Sequence, residues 1–173
     1  MLEIYSPEED SYLLSEVLKK LKIKPDAKVL EIGCGSGIQL QILKDKKIKK
    51  LLGVDINPEA VAHCRKIGFN CFKSDLFENI DGKFNIIIFN PPYLPEDFRE
   101  PADSSTATTG GKKGSEIINR FLEQAKKHLF LEGKVILLTS SLTGEINWRD
   151  YNRKILARKK LFFEELLVWE LSL

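Results

Sequence analysis

The run Asn90-Pro91-Pro92-Tyr93 brings a side-chain amide, a backbone carbonyl and an aromatic ring into one short corner. The residues before it, Phe84-Asn85-Ile86-Ile87-Ile88-Phe89, are almost all β-branched or aromatic and read as a buried strand. Two prolines stop that strand, because neither can donate to a ladder, and leave a rigid, extended corner at its C-terminal end. A planar NH2 group held there would donate one hydrogen to Asn90 and the other to the Pro91 carbonyl, with its flat neighbour lying on Tyr93. An amide nitrogen fits that description, and so does the exocyclic amine of adenine. A bare Pro-Pro is more often only a strand-ending turn. Two motifs upstream give this one a chemical reading.

The first is Gly33-Cys34-Gly35-Ser36-Gly37, which follows the short apolar strand Lys28-Val29-Leu30-Glu31-Ile32 and precedes a helical stretch over residues 38–46. Strand, glycine loop and helix form the nucleotide-binding βα turn: glycines admit close backbone approach, and the helix start offers unpaired N–H groups. The spacing is not the pyrophosphate fingerprint, and no Gly-Lys-Ser/Thr follows. Glu31, just before the loop, opposes a phosphate but suits a cationic or zwitterionic ligand. The second motif is the strand Lys50-Leu51-Leu52-Gly53-Val54-Asp55. Asp55 ends it at the distance from the glycine loop where one carboxylate reads a ribose diol. Asp75, after a short strand over residues 69–73, could accept from an adenine amino group, with the Leu76 N–H beside it. Ser11, at the polar start of the first helix, is placed to face a ligand.

These residues need elements to carry them. Residues 1–22 read as an extended lead-in and a helix, with Pro7 and Glu8-Glu9-Asp10 in its first turn and Tyr12, Leu13, Leu14, Val17, Leu18 and Leu21 as its apolar stripe. Asn57-Pro58-Glu59 caps the next helix, whose apolar face uses Ala60, Val61, Cys64 and Ile67. Residues 94–113 form a long polar stretch beside the Asn90 corner, expected to be a substrate-binding loop. A helix over 114–129 and a strand over 134–139 follow. The pattern does not decide between strand and helix for residues 151–161, and a bend with a final strand closes the chain. Strands alternating with helices predict an α/β domain spanning residues 1–173, with a mostly parallel sheet and helices on both faces. In such a sheet ligands sit at the strands' carboxyl ends, where Glu31, Gly33, Asp55, Asp75 and Asn90 all fall.

Composition narrows the partners. A chain of 173 residues with 30% charged residues and a net charge of +2 is not a nucleic-acid magnet. The basic residues Arg149, Arg153, Lys154, Arg158, Lys159 and Lys160 concentrate near the end and read first as a solvated face. No long apolar run or signal segment stands out, so a cytoplasmic protein is expected. Cys34, Cys64 and Cys71 lack CxxC spacing. Cys64, Cys71 and His63 fall a ligand short of a zinc site, so core thiols and no metal are expected.

The glycine loop from Glu31 to Gly37, Asp55, Asp75 and the Asn90-Pro-Pro-Tyr93 corner together resemble the Rossmann-like class I S-adenosylmethionine-dependent methyltransferases, which implies a sheet of about seven strands with the last antiparallel. More narrowly the chain is similar to the HemK-type protein-glutamine methyltransferases, in their short archaeal and eukaryotic branch. Tyr5-Ser-Pro-Glu-Glu-Asp-Ser11, Asp55-Ile-Asn-Pro-Glu-Ala60, Gly110-Gly-Lys-Lys-Gly-Ser-Glu116 and Lys160-Leu-Phe-Phe-Glu-Glu165 carry that likeness. The resemblance implies S-adenosylmethionine as cofactor and S-adenosylhomocysteine as product, held by Ser11, Glu31, Gly33, Gly35, Asp55, Asp75, Leu76 and Asn90. It implies that Asn90 and Pro91 hold the substrate amide and that Tyr93 packs on it. It implies the glutamine of the Gly-Gly-Gln loop of a peptide-chain release factor as substrate, and a small zinc-binding adaptor as partner. The residues 69–73 strand, expected to be a sheet edge with some length, would invite strand addition by that adaptor. Between Thr143 and Lys160 the chain has room for a helix or a strand, where the family has both. Adenine methylation on RNA or DNA is the alternative, then lysine methylation, for which the corner lacks a base. A catalytically silent scaffold is the remaining class.

Overall fold

A computed structural model describes residues 4–95, 110–148 and 150–173. Helix α1 (Glu9–Lys20) leads to β1 (Lys28–Ile32), α2 (Ile38–Asp45), β2 (Lys50–Asp55), α3 (Pro58–Lys66), β3 (Cys71–Lys73) and β4 (Phe84–Phe89). Helix α4 (Glu116–Ala125), a single 3-10 turn (Lys126–His128), β5 (Leu129–Ser140), β6 (Asn152–Lys160) and β7 (Glu165–Ser172) complete the described order. The seven strands form one sheet in the order β3-β2-β1-β4-β5-β7-β6. β7 alone runs antiparallel to its neighbours, as the resemblance implies for the last strand.

Alternation along the central strands divides the core. Val29 of β1 with Ile86 and Ile88 of β4 packs under Leu14, Val17 and Leu18 of α1 and Leu43 of α2. Leu30, Ile32, Ile87 and Phe89 face the other way, onto Ile118, Phe121 and Leu122 of α4. Period 2 in the strands thus meets period 3.6 in the helices on both faces. Helix α3 extends the first layer through a smaller cluster with Leu40, Phe69 and the three cysteines. Among the described residues no helix is long and apolar enough to cross a membrane.

Several boundaries differ from expectation. α1 starts at Glu9, so Pro7 lies outside its first turn, and Tyr12 is half exposed rather than part of the apolar stripe. β3 is only Cys71–Lys73. It is an edge strand as expected, but it starts at Cys71 and leaves out Phe69 and Asn70 of the expected 69–73. The helix over 114–129 is α4 plus the 3-10 turn. Leu129 instead opens β5, because it pairs with Phe84 ahead of a bulge that also draws residues 130–133 into the strand. The undecided stretch is β6, fixed as a strand by antiparallel pairing to β7 from Asn152↔Ser172 to Lys160↔Glu165. Of the expected substrate loop over 94–113, residues 96–109 lie outside the described residues, as does Arg149.

Candidate active site

The strand order reverses between β1 and β4, and the crevice at that switch is where an open α/β sheet binds ligands. A cavity of about 260 Å³ lies there, lined by the loop after β1, the ends of β2 and β3, the corner after β4 and the start of α1. Of the residues expected to line it, Ser11, Glu31, Gly33, Gly35, Asp55, Asp75, Leu76, Asn90 and Pro91 do. Tyr93 does not. Its half-buried ring packs against both core layers, and its carbonyl accepts the Thr143 hydroxyl at 3.2 Å. The likeness to planar-amine corners assigned the ring by type; what turns it inward is the apolar core on either side.

The glycine loop is shaped by backbone demands. Gly33 has φ +67° and Gly37 φ +78°, a region that side chains adopt at a cost. A Cβ on Gly37 would also meet Cys64 Sγ at 3.1 Å. The loop is tied to β2 from below: Asp55 Oδ2 accepts the Gly35 N–H at 2.9 Å and Oδ1 accepts the Asn57 N–H at 2.9 Å. Burial pushes the Asp55 carboxyl above its ordinary value, and these backbone donors pull it back in part. Its oxygens are therefore oriented before any ligand arrives.

Glu31 is buried at the end of β1, and its Oε2 has no hydrogen-bond partner among the described residues. Burial, then the nearby Cys64 and Asp55, hold its carboxyl well above the usual carboxylate range. An unpaired carboxylate is costly inside a protein, so this oxygen is complementary to a cation or a strong donor. Asn90 Oδ1 is likewise buried without a partner among the described residues. Its amide is not free to turn. Asn90 Nδ2 donates to Asp10 Oδ2 at 3.0 Å and reaches Ser11 Oγ at 3.5 Å. Acceptors on one side fix the nitrogen there, so the oxygen is the end of the amide with its acceptor capacity unused among the described residues.

Asp10 is a cavity-lining residue that sequence reasoning missed. It read as a first-turn acid answering the helix dipole, yet it is buried and also accepts from the Tyr5 hydroxyl at 3.1 Å. Tyr5 lines the same cavity, and burial and the Asp10 charge push its phenol up. Gln39 of α2 was missed too: its Nε2 donates to Ser11 O at 2.9 Å and its Oε1 accepts the Ser15 hydroxyl at 3.0 Å. This buried bridge seats the start of α1 over the glycine loop. Periodicity gives no sign of either contact; only the glutamine's place on an otherwise apolar helix face hints at one.

On the far wall Asp75 Oδ2 pairs with Arg120 Nη2 of α4 at 2.9 Å, a partner not anticipated. Leu76 beside it has φ +47°, strained for a branched side chain. The turn is held by Ser74, whose hydroxyl donates to Leu76 O at 3.0 Å and accepts from Asn79 N at 3.1 Å.

The family described as Methyltransferase small domain matches residues 8–147, which include every residue of the cavity lining but Tyr5. A putative protein N5-glutamine methyltransferase of Methanocaldococcus jannaschii is 44% identical over 96% of this chain and 90% of its own length. The eRF1 methyltransferase catalytic subunit mtq2 of Schizosaccharomyces pombe is 33% identical over 76% of this chain and 70% of its own. Among solved structures, the ribosomal protein L11 methylase of Lactobacillus delbrueckii subsp. bulgaricus matches with a TM-score of 0.67 over 98% of this chain and 81% of its own, at 18% identity. That likeness shows the fold. With the family match and these relatives, the chain belongs to the methyltransferase small-domain family, on its protein-glutamine methyltransferase branch.

Proposed function

We propose that the chain transfers a methyl group from S-adenosylmethionine to the side-chain amide nitrogen of a protein glutamine, in the Gly-Gly-Gln loop of a peptide-chain release factor. One observation carries the reading: the two buried side-chain oxygens without partners among the described residues, Glu31 Oε2 and Asn90 Oδ1, belong to residues that line one cavity. One calls for a cation and the other for an N–H. An amino acid–nucleoside sulfonium and a primary amide supply those groups.

The chain's residues fit the cofactor. Glu31 would take the ammonium, the backbone of Gly33 and Gly35 would lie against the methionine portion, and Asp55 would read the ribose diol. Leu76 and the Asp75 oxygen not held by Arg120 would border the adenine. Bound there, S-adenosylmethionine supplies an electrophilic methyl on a positive sulfur. The protein's tasks are placement and electrostatics, with reacting atoms held roughly 3–3.5 Å apart. An amide nitrogen is a poor nucleophile because its lone pair is delocalised into the carbonyl. Asn90 Oδ1 and the Pro91 carbonyl would accept its two hydrogens, favouring pyramidalisation as the nitrogen–carbon bond forms and the carbon–sulfur bond breaks. One of those hydrogens then leaves as a proton. Tyr93 would act from behind, stiffening the corner rather than stacking on the amide.

The mtq2 relative is described as the catalytic subunit of an eRF1 methyltransferase, which supports a release factor as substrate and, with it, action in the cytoplasm. The word subunit also supports a partner, which we take to be the small zinc-binding adaptor. β3 offers it only a short edge and β6 a longer, basic one. The test is to incubate the chain, with and without a candidate adaptor, with methyl-labelled cofactor and either a release factor or RNA. Label on the glutamine of the Gly-Gly-Gln loop supports the reading. Label on RNA adenine, or on the release factor after that glutamine is replaced, would overturn it.

A further inference from the structure

Cys34, Cys64 and Cys71 come from the glycine loop, α3 and β3, and all three are buried. Their sulfurs lie within 4.8 Å of one another. The third partner is therefore Cys34, not the His63 that chain proximity offered. Three sulfurs bound about 2.3 Å from a central ion sit about 4.0 Å apart when the site is trigonal. The observed group needs only a small contraction to reach that arrangement. The room is kept by a residue with no side chain. A Cβ on Gly53 would fall 2.7 Å from Cys71 Sγ and 3.2 Å from Cys34 Cβ.

We propose that Cys34, Cys64 and Cys71 form a three-sulfur site for a thiophilic, three-coordinate metal ion, of which univalent copper is the type. Thiolate ligands select soft ions. No His, Asp or Glu atom joins the group among the described residues, so the fourth ligand that structural zinc requires is missing. On binding, the ion replaces the thiol protons, which pass to solvent, and no electron changes hands. Cys34 lines the cofactor cavity, which gives the ion a route in.

The consequence reaches the neighbouring site. Cys34 stands between Gly33 and Gly35, and Cys64 Sγ donates to Gly35 O at 3.5 Å. An ion joining the three sulfurs ties the glycine loop to α3 and β3, segments far apart in sequence. Because an unfolded chain cannot assemble those ligands, the ion stabilises the folded state.

The test uses the whole chain, anaerobic and fully reduced, titrated with univalent copper against a copper-specific chelator. The expected result is one ion retained per chain, with a thiolate-to-copper absorption band in the ultraviolet and a raised thermal midpoint. Cys34→Ser, Cys64→Ser and Cys71→Ser should each lose the band and the shift; where a serine variant fails to fold, the alanine variant takes its place. A folded wild-type chain that yields its copper to the chelator would overturn the site. So would equal retention by a folded Cys71→Ser chain, or retention of divalent zinc as tight as that of copper. None of these readouts depends on methyl transfer.

Discussion

Asp10 Oδ2 accepts the Asn90 Nδ2–H at 3.0 Å across 80 residues of chain. That contact decides which end of the Asn90 amide is left to accept a hydrogen bond. Without it the amide could turn over and present a donor where an acceptor is needed. Asn90→Ala should lower the methyl-transfer rate roughly 10²–10³-fold, the loss seen when a preorganised polar group is removed from a reacting centre. Cofactor affinity, read by calorimetry, should change far less. Equal losses in rate and cofactor affinity would refute the role.

Asp10→Ala removes the anchor and leaves the amide. A hydrogen bond to a charged group contributes about 1.5–3 kcal/mol, so the rate should fall roughly 10–100-fold. The double variant Asp10→Ala with Asn90→Ala should be no slower than Asn90→Ala alone, because the aspartate works through the asparagine. Fully multiplicative losses in single-turnover assays would show that Asp10 acts independently.

Glu31 sets function against stability. In the folded apo protein its carboxyl is held well above the usual range by burial, then by Cys64 and Asp55. The folded state therefore keeps a proton that the unfolded chain releases as pH rises through the ordinary carboxylate range. Apo stability from this group is fully present below that range, declines as pH climbs through it, and levels off above the folded-state value. Glu31→Gln should flatten this decline and raise the apo thermal midpoint at neutral pH. The same change should abolish tight cofactor binding, because the ammonium loses its carboxylate. Wild-type cofactor affinity should rise with pH over the same window, since binding draws the carboxylate form. Calorimetry in buffers of different ionisation enthalpy would register the proton released.

Much of this site is legible in the sequence because its backbone is unusual. Gly33, Gly35 and Gly37 with positive φ and the paired prolines leave visible marks, and the acids at the ends of β1 and β2 stand beside them. The boundaries of β1, β2 and β4 follow from continuous apolar runs in a buried parallel sheet. What stays hidden is long-range. Asp10, Gln39 and Arg120 are ordinary helix residues until folding brings them to a partner on another element. β6 is hidden for a related reason. Its basic, half-exposed pattern is weak locally, and only pairing with β7 makes it a strand. The three-cysteine cluster forms only once β1, α3 and β3 are stacked.

Asp55 holds the Gly35 and Asn57 N–H groups with one carboxylate, and under the proposed function the same carboxylate would read the ribose. Asp55→Ala should weaken cofactor binding in two ways, by losing the ribose acceptors and by freeing the Gly35 N–H. Asp55→Asn keeps an acceptor for one backbone donor but turns an amine toward the other, so it should recover little. Equilibrium binding of S-adenosylhomocysteine separates the variants: affinity should fall roughly 10–100-fold for both, as when a charge-assisted bond is lost. Near-wild-type binding by the alanine variant would remove Asp55 from the site.

Phe121 of α4 carries the far wall from beneath. It is fully buried, with its ring centroid 5.6 Å from that of Phe77 and 4.7 Å from that of Phe89. Phe77 follows Leu76, and Phe89 precedes Asn90, so one ring supports both the strained turn and the proline corner. Phe121→Ala should cost about 3–5 kcal/mol, the usual toll for emptying a buried aromatic position. Phe121→Leu, which refills most of the space, should cost much less. Below their thermal midpoints the two variants should differ in function as well. The alanine chain should raise KM for the cofactor through a slackened Leu76 turn and lower kcat through a displaced Asn90, while the leucine chain keeps both near wild type. Denaturant unfolding gives the first comparison and steady-state kinetics the second. A Phe121→Ala chain with large destabilisation but unchanged kinetics would show that the turn and the corner hold their geometry without the ring.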